Sequence, residues 1–115
     1  MIPLSPSTCI YLACGATDMR KGFNGLAVLA QPVLHKHPHC GALFAFRGKR
    51  GDLVKLLWYD GQGMCLFSKR MDRGKFVWPM TKTGKVSLTS AQLSMLLEGI
   101  DWRRPERTVM PLLAG

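Results

Sequence analysis

The apolar positions change period along the chain, and each change marks a predicted element. Cys9 to Ala13 (CIYLA) is a short apolar run that reads as a strand, ended by Gly15. Met19, Phe23, Leu26, Ala27, Ala30, Val33 and Leu34 then recur at helical spacing, with Arg20, Lys21 and Asn24 on the other side. Thr17 reads as the N-cap, and Asp18 as a first-turn acid favoured by the helix dipole. Pro32 ends or kinks this helix near Ala30, so it is predicted over about 18–31. His35 to Gly41 reads as a loop.

From Ala42 the period becomes that of strands. Ala42–Arg47, Leu53–Tyr59, Met64–Arg70 and Lys75–Trp78 are short runs rich in aromatic and β-branched residues. Gly48-Lys49-Arg50-Gly51, Asp60-Gly61-Gln62-Gly63 and Asp72-Arg73-Gly74 separate them with turn chemistry. A two-residue turn after Tyr59 puts Val54, Leu56, Trp58, Cys65, Phe67 and Lys69 on one side, the more apolar one, facing the core. A three-residue loop would reverse that facing. Val86–Leu88 offers a last strand. Thr89 and Gln92 have capping-box spacing ahead of Leu93, Leu96, Leu97 and Ile100, and Gly99 supplies a stop. A second helix is predicted over about 90–98.

The predicted fold class is therefore α+β. It is a single small domain over residues 1–115, an antiparallel β-meander of about four to five strands packed with two helices. Residues 1–8 and about 103–115 read as extended or mobile ends. Hydrophobic content of 47% and charged content of 20% fit a globular domain. No apolar run is long enough to span a membrane, and the N-terminus lacks the basic region of a secretory signal. A cytoplasmic place is expected, and with it four reduced cysteines (Cys9, Cys14, Cys40, Cys65).

Charge changes the picture more. The net charge is +9, and the stretch from Arg47 to Lys85 holds ten Lys or Arg against three Asp. Aromatics lie between these cations, a combination suited to a polyanion with flat faces, which means nucleic acid. The candidate contacts are Arg47, Lys49, Arg50, Lys55, Lys69, Arg70, Arg73 and Lys75. Arg103 and Arg104 form a second basic patch beside Trp102. Phosphate contacts of this kind set position rather than sequence. Tyr59 is the best base-stacking candidate in the stretch, because it shares a side with Lys55 and Arg70. Trp102 is another, unless it folds back on the core.

Catalytic chemistry is absent from the pattern. Asp52, Asp60 and Asp72 sit in or beside hairpin turns, where Asp is favoured for backbone reasons, so they do not form a converging carboxylate site. No phosphate-binding glycine loop leads into a helix, and no nucleophile–base pair is visible. His35, His37, His39 and Cys40 form H-x-H-x-H-C, which lacks the paired-cluster spacing of a structural zinc site. Neither a metal nor another cofactor is expected, and the chain does not read as an enzyme.

Three segments carry a resemblance. TDMRKGF (17–23) with Gly25-Leu26 is similar to the opening motif of the TnpB accessory proteins, encoded by the second reading frame of the insertion sequence sixty-six family. LFAFRGKRGDLVKLLWYDGQGMCLFSKRMDRGKFVWP (43–79) resembles their core signature, and LLEGIDWRRP (96–105) a later one. This family is distinct from the RNA-guided nuclease that shares its name. The resemblance implies a non-catalytic accessory factor of transposition, working beside a separate transposase in the bacterial cytosol or nucleoid. It supplies no catalytic residues. Transposon-end DNA and the element's transposase are the expected partners, and a homodimer is compatible with a short exposed edge strand. An adaptor of the transposase without DNA contact, and an RNA-binding regulator, are the alternatives.

Overall fold

The computed structural model describes residues 8–36, 42–79 and 85–103. Its elements are β1 (Cys9–Ala16), α1 (Phe23–Lys36), β2 (Ala42–Arg47), β3 (Leu53–Tyr59), β4 (Met64–Arg70), β5 (Lys85–Leu88) and α2 (Ser90–Leu97). The strands form one sheet in the order β4-β3-β2-β1-β5. The fold is α+β, and β2, β3 and β4 are the antiparallel meander, with the bounds read from the sequence.

The sheet is mixed, however. β1 runs parallel to β2, from Cys9 opposite Ala42 to Ala13 opposite Phe46. A parallel pair needs a long crossover, and α1 lies in that connection. β1 also continues past Gly15 to Ala16, through an irregularity in register between Ala13 and Ala16. β5 pairs antiparallel with β1.

α1 starts later than its periodicity predicts. The Asp18 carboxylate accepts the backbone N–H of Arg20, and the Asp18 carbonyl accepts that of Lys21, so this acid closes a turn rather than opening a helix. The first helical hydrogen bond runs from Leu26 N–H to Gly22 C=O at 3.0 Å, which makes Gly22 the cap. Thr17 instead donates its N–H to Arg47 C=O at 2.8 Å and ties the loop to β2. Pro32 lies inside the helix, which continues to Lys36. One missing amide donor is outweighed by packing of the helix on the sheet through Leu26 and Ala30.

Lys75–Trp78 is not a strand. Phe76 N–H and the Trp78 indole both donate to Gly51 C=O, and both rings are buried. The aromatic run therefore signals burial across the β2–β3 turn and not ladder pairing. α2 matches its prediction. Thr89 and Gln92 exchange both capping-box hydrogen bonds, and Gly99 follows with φ +75°.

The helices cover opposite faces of the sheet. On one face Ile10, Leu12, Leu43, Ala45, Val54 and Leu56 pack with Leu93, Leu96 and Leu97 of α2 and with Phe76, Trp78 and Trp102. On the other, Phe44, Phe46 and Leu57 pack with Leu26 and Ala30 of α1. β2 is thus buried on both sides, which accounts for its unbroken apolar run. The loop between β3 and β4 spans residues 60–63 and has the parity of a two-residue turn. Val54 accordingly opposes Lys69 and Leu56 opposes Phe67, on the expected side.

Cys9 is disulfide-bonded, against the expectation of four reduced thiols, whereas Cys65 is free. Residues 1–7 of the predicted lead-in over 1–8, the cluster residues His37, His39 and Cys40, and the tail from Arg104 onward lie outside the described residues.

Candidate nucleic-acid interface

Parallel pairing brings the carboxyl ends of β1 and β2 to the same end of the sheet. The β1–α1 loop and the β2–β3 turn leave from there, and β4 returns Arg70 to that end opposite Leu53. These three segments line an open groove of about 760 Å³. Thr17, Asp18, Met19 and Arg20 form one side; Gly48, Lys49, Arg50, Asp52, Leu53 and Arg70 form the rest.

The groove is held by backbone bonds. Thr17 N–H donates to Arg47 C=O, Gly48 N–H to Leu53 C=O at 2.9 Å, and Gly51 N–H to Gly48 C=O at 3.0 Å. Gly51 has φ +79°, a conformation other residues adopt only with strain. Behind the turn, the Arg47 guanidinium lies 5.7 Å from the centroid of Trp78, a cation–π contact.

Within the groove, Asp18 and Arg20 form a two-pronged ion pair, with Nε to Oδ1 at 3.0 Å and Nη2 to Oδ2 at 2.9 Å. The guanidinium hydrogen bond, with a second from Arg20 N–H, holds the Asp18 carboxyl at a pKa of about 2; the same contact raises Arg20. Lys49 and Arg50 at the turn tip and Arg70 across from them are exposed. Lys75 lies next to the turn, since a methyl added at Gly51 would meet its Cδ at 3.3 Å. Arg73 is exposed in the loop that follows β4.

Other cations of the stretch are engaged elsewhere. Lys55 Nζ donates to Lys21 C=O at 3.1 Å on the α1 side. Lys69 Nζ donates to Leu97 C=O at 2.6 Å on the α2 side. Arg103 is paired with Asp101 through two hydrogen bonds and lies off the groove. Arg104 lies outside the described residues.

The stacking candidates separate. Tyr59 is 61% exposed, but it sits at the opposite end of β3 from the groove, and its hydroxyl donates to Gly61 C=O. Trp102 offers no free ring face. It is 4% exposed in the α2-side core, and its indole N–H donates to Val77 C=O at 2.9 Å, so the folded-back arrangement is the one adopted.

The contacts read from the basic stretch include none on the groove's Thr17–Arg20 side, which lies outside that stretch; Arg20 is a candidate only as a cation of the TDMRKGF motif. Only the parallel β1–β2 pairing brings that side to the β2–β3 turn, and the apolar run of β2 was the signal for a strand buried on both faces. Among the described residues no group of three His, Cys, Asp or Glu is arranged to hold a metal ion, and no helix is long and apolar enough to cross a membrane.

A small α+β domain with a cationic groove at one end of its sheet is the class these features define. Comparison with known proteins gives the family. The model described as IS66 Orf2 like protein matches residues 8–107. The uncharacterized protein y4hO of Sinorhizobium fredii (strain NBRC 101917 / NGR234) is 50% identical over 115 residues, the whole of both chains. Its uncharacterized protein y4jC is 38% identical over 107 residues, 93% of this chain and 92% of that one. No solved structure matches. The chain belongs to the IS66 Orf2-like family, a family of insertion-sequence accessory proteins and not a known class of enzyme.

Proposed function

We propose that this protein is a non-catalytic accessory factor of transposition that grips DNA through its basic groove. The ligand is the phosphate backbone at the transposon ends, free or within the transposase–DNA complex. The observation that carries this reading is the convergence of Lys49 and Arg50, from the β2–β3 turn, with Arg70, from the end of β4, around one open groove. Their side chains reach solvent, whereas Lys55 and Lys69 are engaged by backbone carbonyls. The interface is therefore smaller than the basic stretch implies. Arg73 and Lys75 flank it.

Such contacts release counterions, so affinity falls steeply with salt. The test is fluorescence anisotropy with labelled transposon-end duplex, scrambled duplex and single strand, each at two salt concentrations. Salt-sensitive duplex binding, lost in Lys49→Ala/Arg50→Ala/Arg70→Ala, supports the reading; a folded protein that binds no duplex at low salt overturns it. Preference for the end sequence would add specificity, and preference for single strands would favour the RNA-binding alternative. One observation favours the transposase adaptor instead: Phe23, Val28 and Leu29 of α1 are 48%, 60% and 46% exposed. Co-purification with transposase that survives nuclease treatment would support that reading.

A further inference from the structure

Among the described residues the β4 edge of the sheet is open. β4 ends the strand order, and among the described residues no strand lies beyond it. It has no buried residue, no proline and a regular register with β3. Its first five residues, Met64 to Ser68, carry no charge. Natural edges are usually blunted by a bulge, a proline or charged side chains; this one has neither bulge nor proline, and its two cations, Lys69 and Arg70, are confined to its last two residues. β5, the other edge, is only four residues long.

The ladder shows which groups point outward. Asp60 N–H donates to Gly63 C=O and Met71 N–H to Asp52 C=O, just beyond the two ends of the β3–β4 pair. Hydrogen-bonded pairs alternate in an antiparallel ladder, so Cys65, Phe67 and Lys69 bond to β3. The N–H and C=O groups of Leu66 and Ser68 then face away from the sheet. Leu66 packs on the α1-side cluster and Phe67 on the α2-side cluster, and both are only half-buried.

We propose that β4 pairs antiparallel with β4 of a second copy, joining two sheets across a two-fold axis near Phe67. Self-pairing satisfies the outward amides and carbonyls, and sets Phe67 beside its symmetry mate and Leu66 beside Ser68 of the other copy. It also suits the charge distribution. Arg70 and Arg73 lie at one end of the strand and exposed Asp60 at the other, so the antiparallel arrangement brings the basic end of one copy toward the acidic end of the next. The side chain of Arg70 stays in its groove, and the two grooves fall at opposite ends of the joined ladder. The pairing itself does not depend on the DNA reading.

The test uses the full chain without DNA. Its mass is measured by size-exclusion chromatography with light scattering over a concentration series, for wild type and Ser68→Pro. Proline removes an amide that makes no bond to β3, so the fold is expected to survive while pairing is lost. Residue-resolved hydrogen exchange on wild type at low and high concentration is the second measurement. Expected are a dimer that dissociates on dilution, a monomeric Ser68→Pro, and Leu66 and Ser68 amides exchanging about tenfold slower in the dimer. A wild type monomeric at every concentration overturns the proposal. So does a dimer in which the Leu66 and Ser68 amides exchange freely.

Discussion

The indole N–H of Trp78 donates to the carbonyl of Gly51 at 2.9 Å, across 27 residues of sequence. That bond fastens the segment after β4 to the turn that carries Lys49 and Arg50. Phe76 N–H donates to the same oxygen, so Trp78→Phe leaves no orphaned carbonyl. The expected loss is one hydrogen bond, some ring volume and part of the Arg47 cation–π contact, together roughly 1–3 kcal/mol of stability. Urea denaturation checks it, and an unchanged midpoint would show that the indole does not anchor the turn. Gly51→Ala should cost a similar amount, about 1–2 kcal/mol, because its φ is +79° and the new methyl meets Lys75 and Trp78 at 3.3 Å.

The groove makes a quantitative claim about salt. Each phosphate neutralised contributes about 0.9 to the slope of log affinity against log salt. Replacing Lys49, Arg50 and Arg70 by Ala should therefore lower the slope by roughly 2–3 and weaken all duplex sequences alike. A sequence-dependent loss would mean that one of these residues reads a base edge.

Asp18 pairs with Arg20, whose side chain otherwise reaches solvent. Its carboxyl lies near pKa 2 against an ordinary 3.8, chiefly through the Arg20 side-chain hydrogen bond. The folded value is the depressed one, so the pair's contribution is complete above about pH 4 and is lost as pH falls through about 2. An NMR titration of the Asp18 carboxyl checks this, and a midpoint at the ordinary value would show that the pair does not persist in solution. Asp18→Asn should free Arg20 and raise duplex affinity a few-fold at low salt; unchanged affinity would place Arg20 outside the interface.

Much of the fold was legible because local chemistry and tertiary packing agree. Gly48 to Gly51 and Asp60 to Gly63 fix where strands must turn, so the meander bounds came out as read. Thr89 and Gln92 announced α2 through a capping box that needs no tertiary partner. Three features were hidden. Asp18 has the composition of a helix start, but its carboxylate closes a turn on Arg20 instead. Pro32 reads as a stop, yet Leu26 and Ala30 hold the helix to the sheet on its near side. The parallel pairing of β1 with β2 has no local signature, and without it the Thr17–Arg20 side of the groove cannot be placed. Charge alone also did not separate cations that reach solvent from those whose ammonium groups close a backbone carbonyl.

Lys69 and Arg70 test that last distinction, because they are neighbours in sequence with opposite surroundings. Side chains alternate along a strand, so Lys69 turns to the α2 face and Arg70 to the groove. Lys69 Nζ meets Leu97 C=O at 2.6 Å, at the C-terminal end of α2, where the helix dipole is negative. Lys69→Ala should then cost about 1 kcal/mol in urea denaturation while leaving the salt slope of duplex binding unchanged. Arg70→Ala should do the reverse, with stability within about 0.5 kcal/mol of wild type and the slope lowered by about 0.9. Equal effects of the two on DNA binding would mean that the ligand reaches around the edge of β4 to both faces, and the groove would no longer suffice as the site.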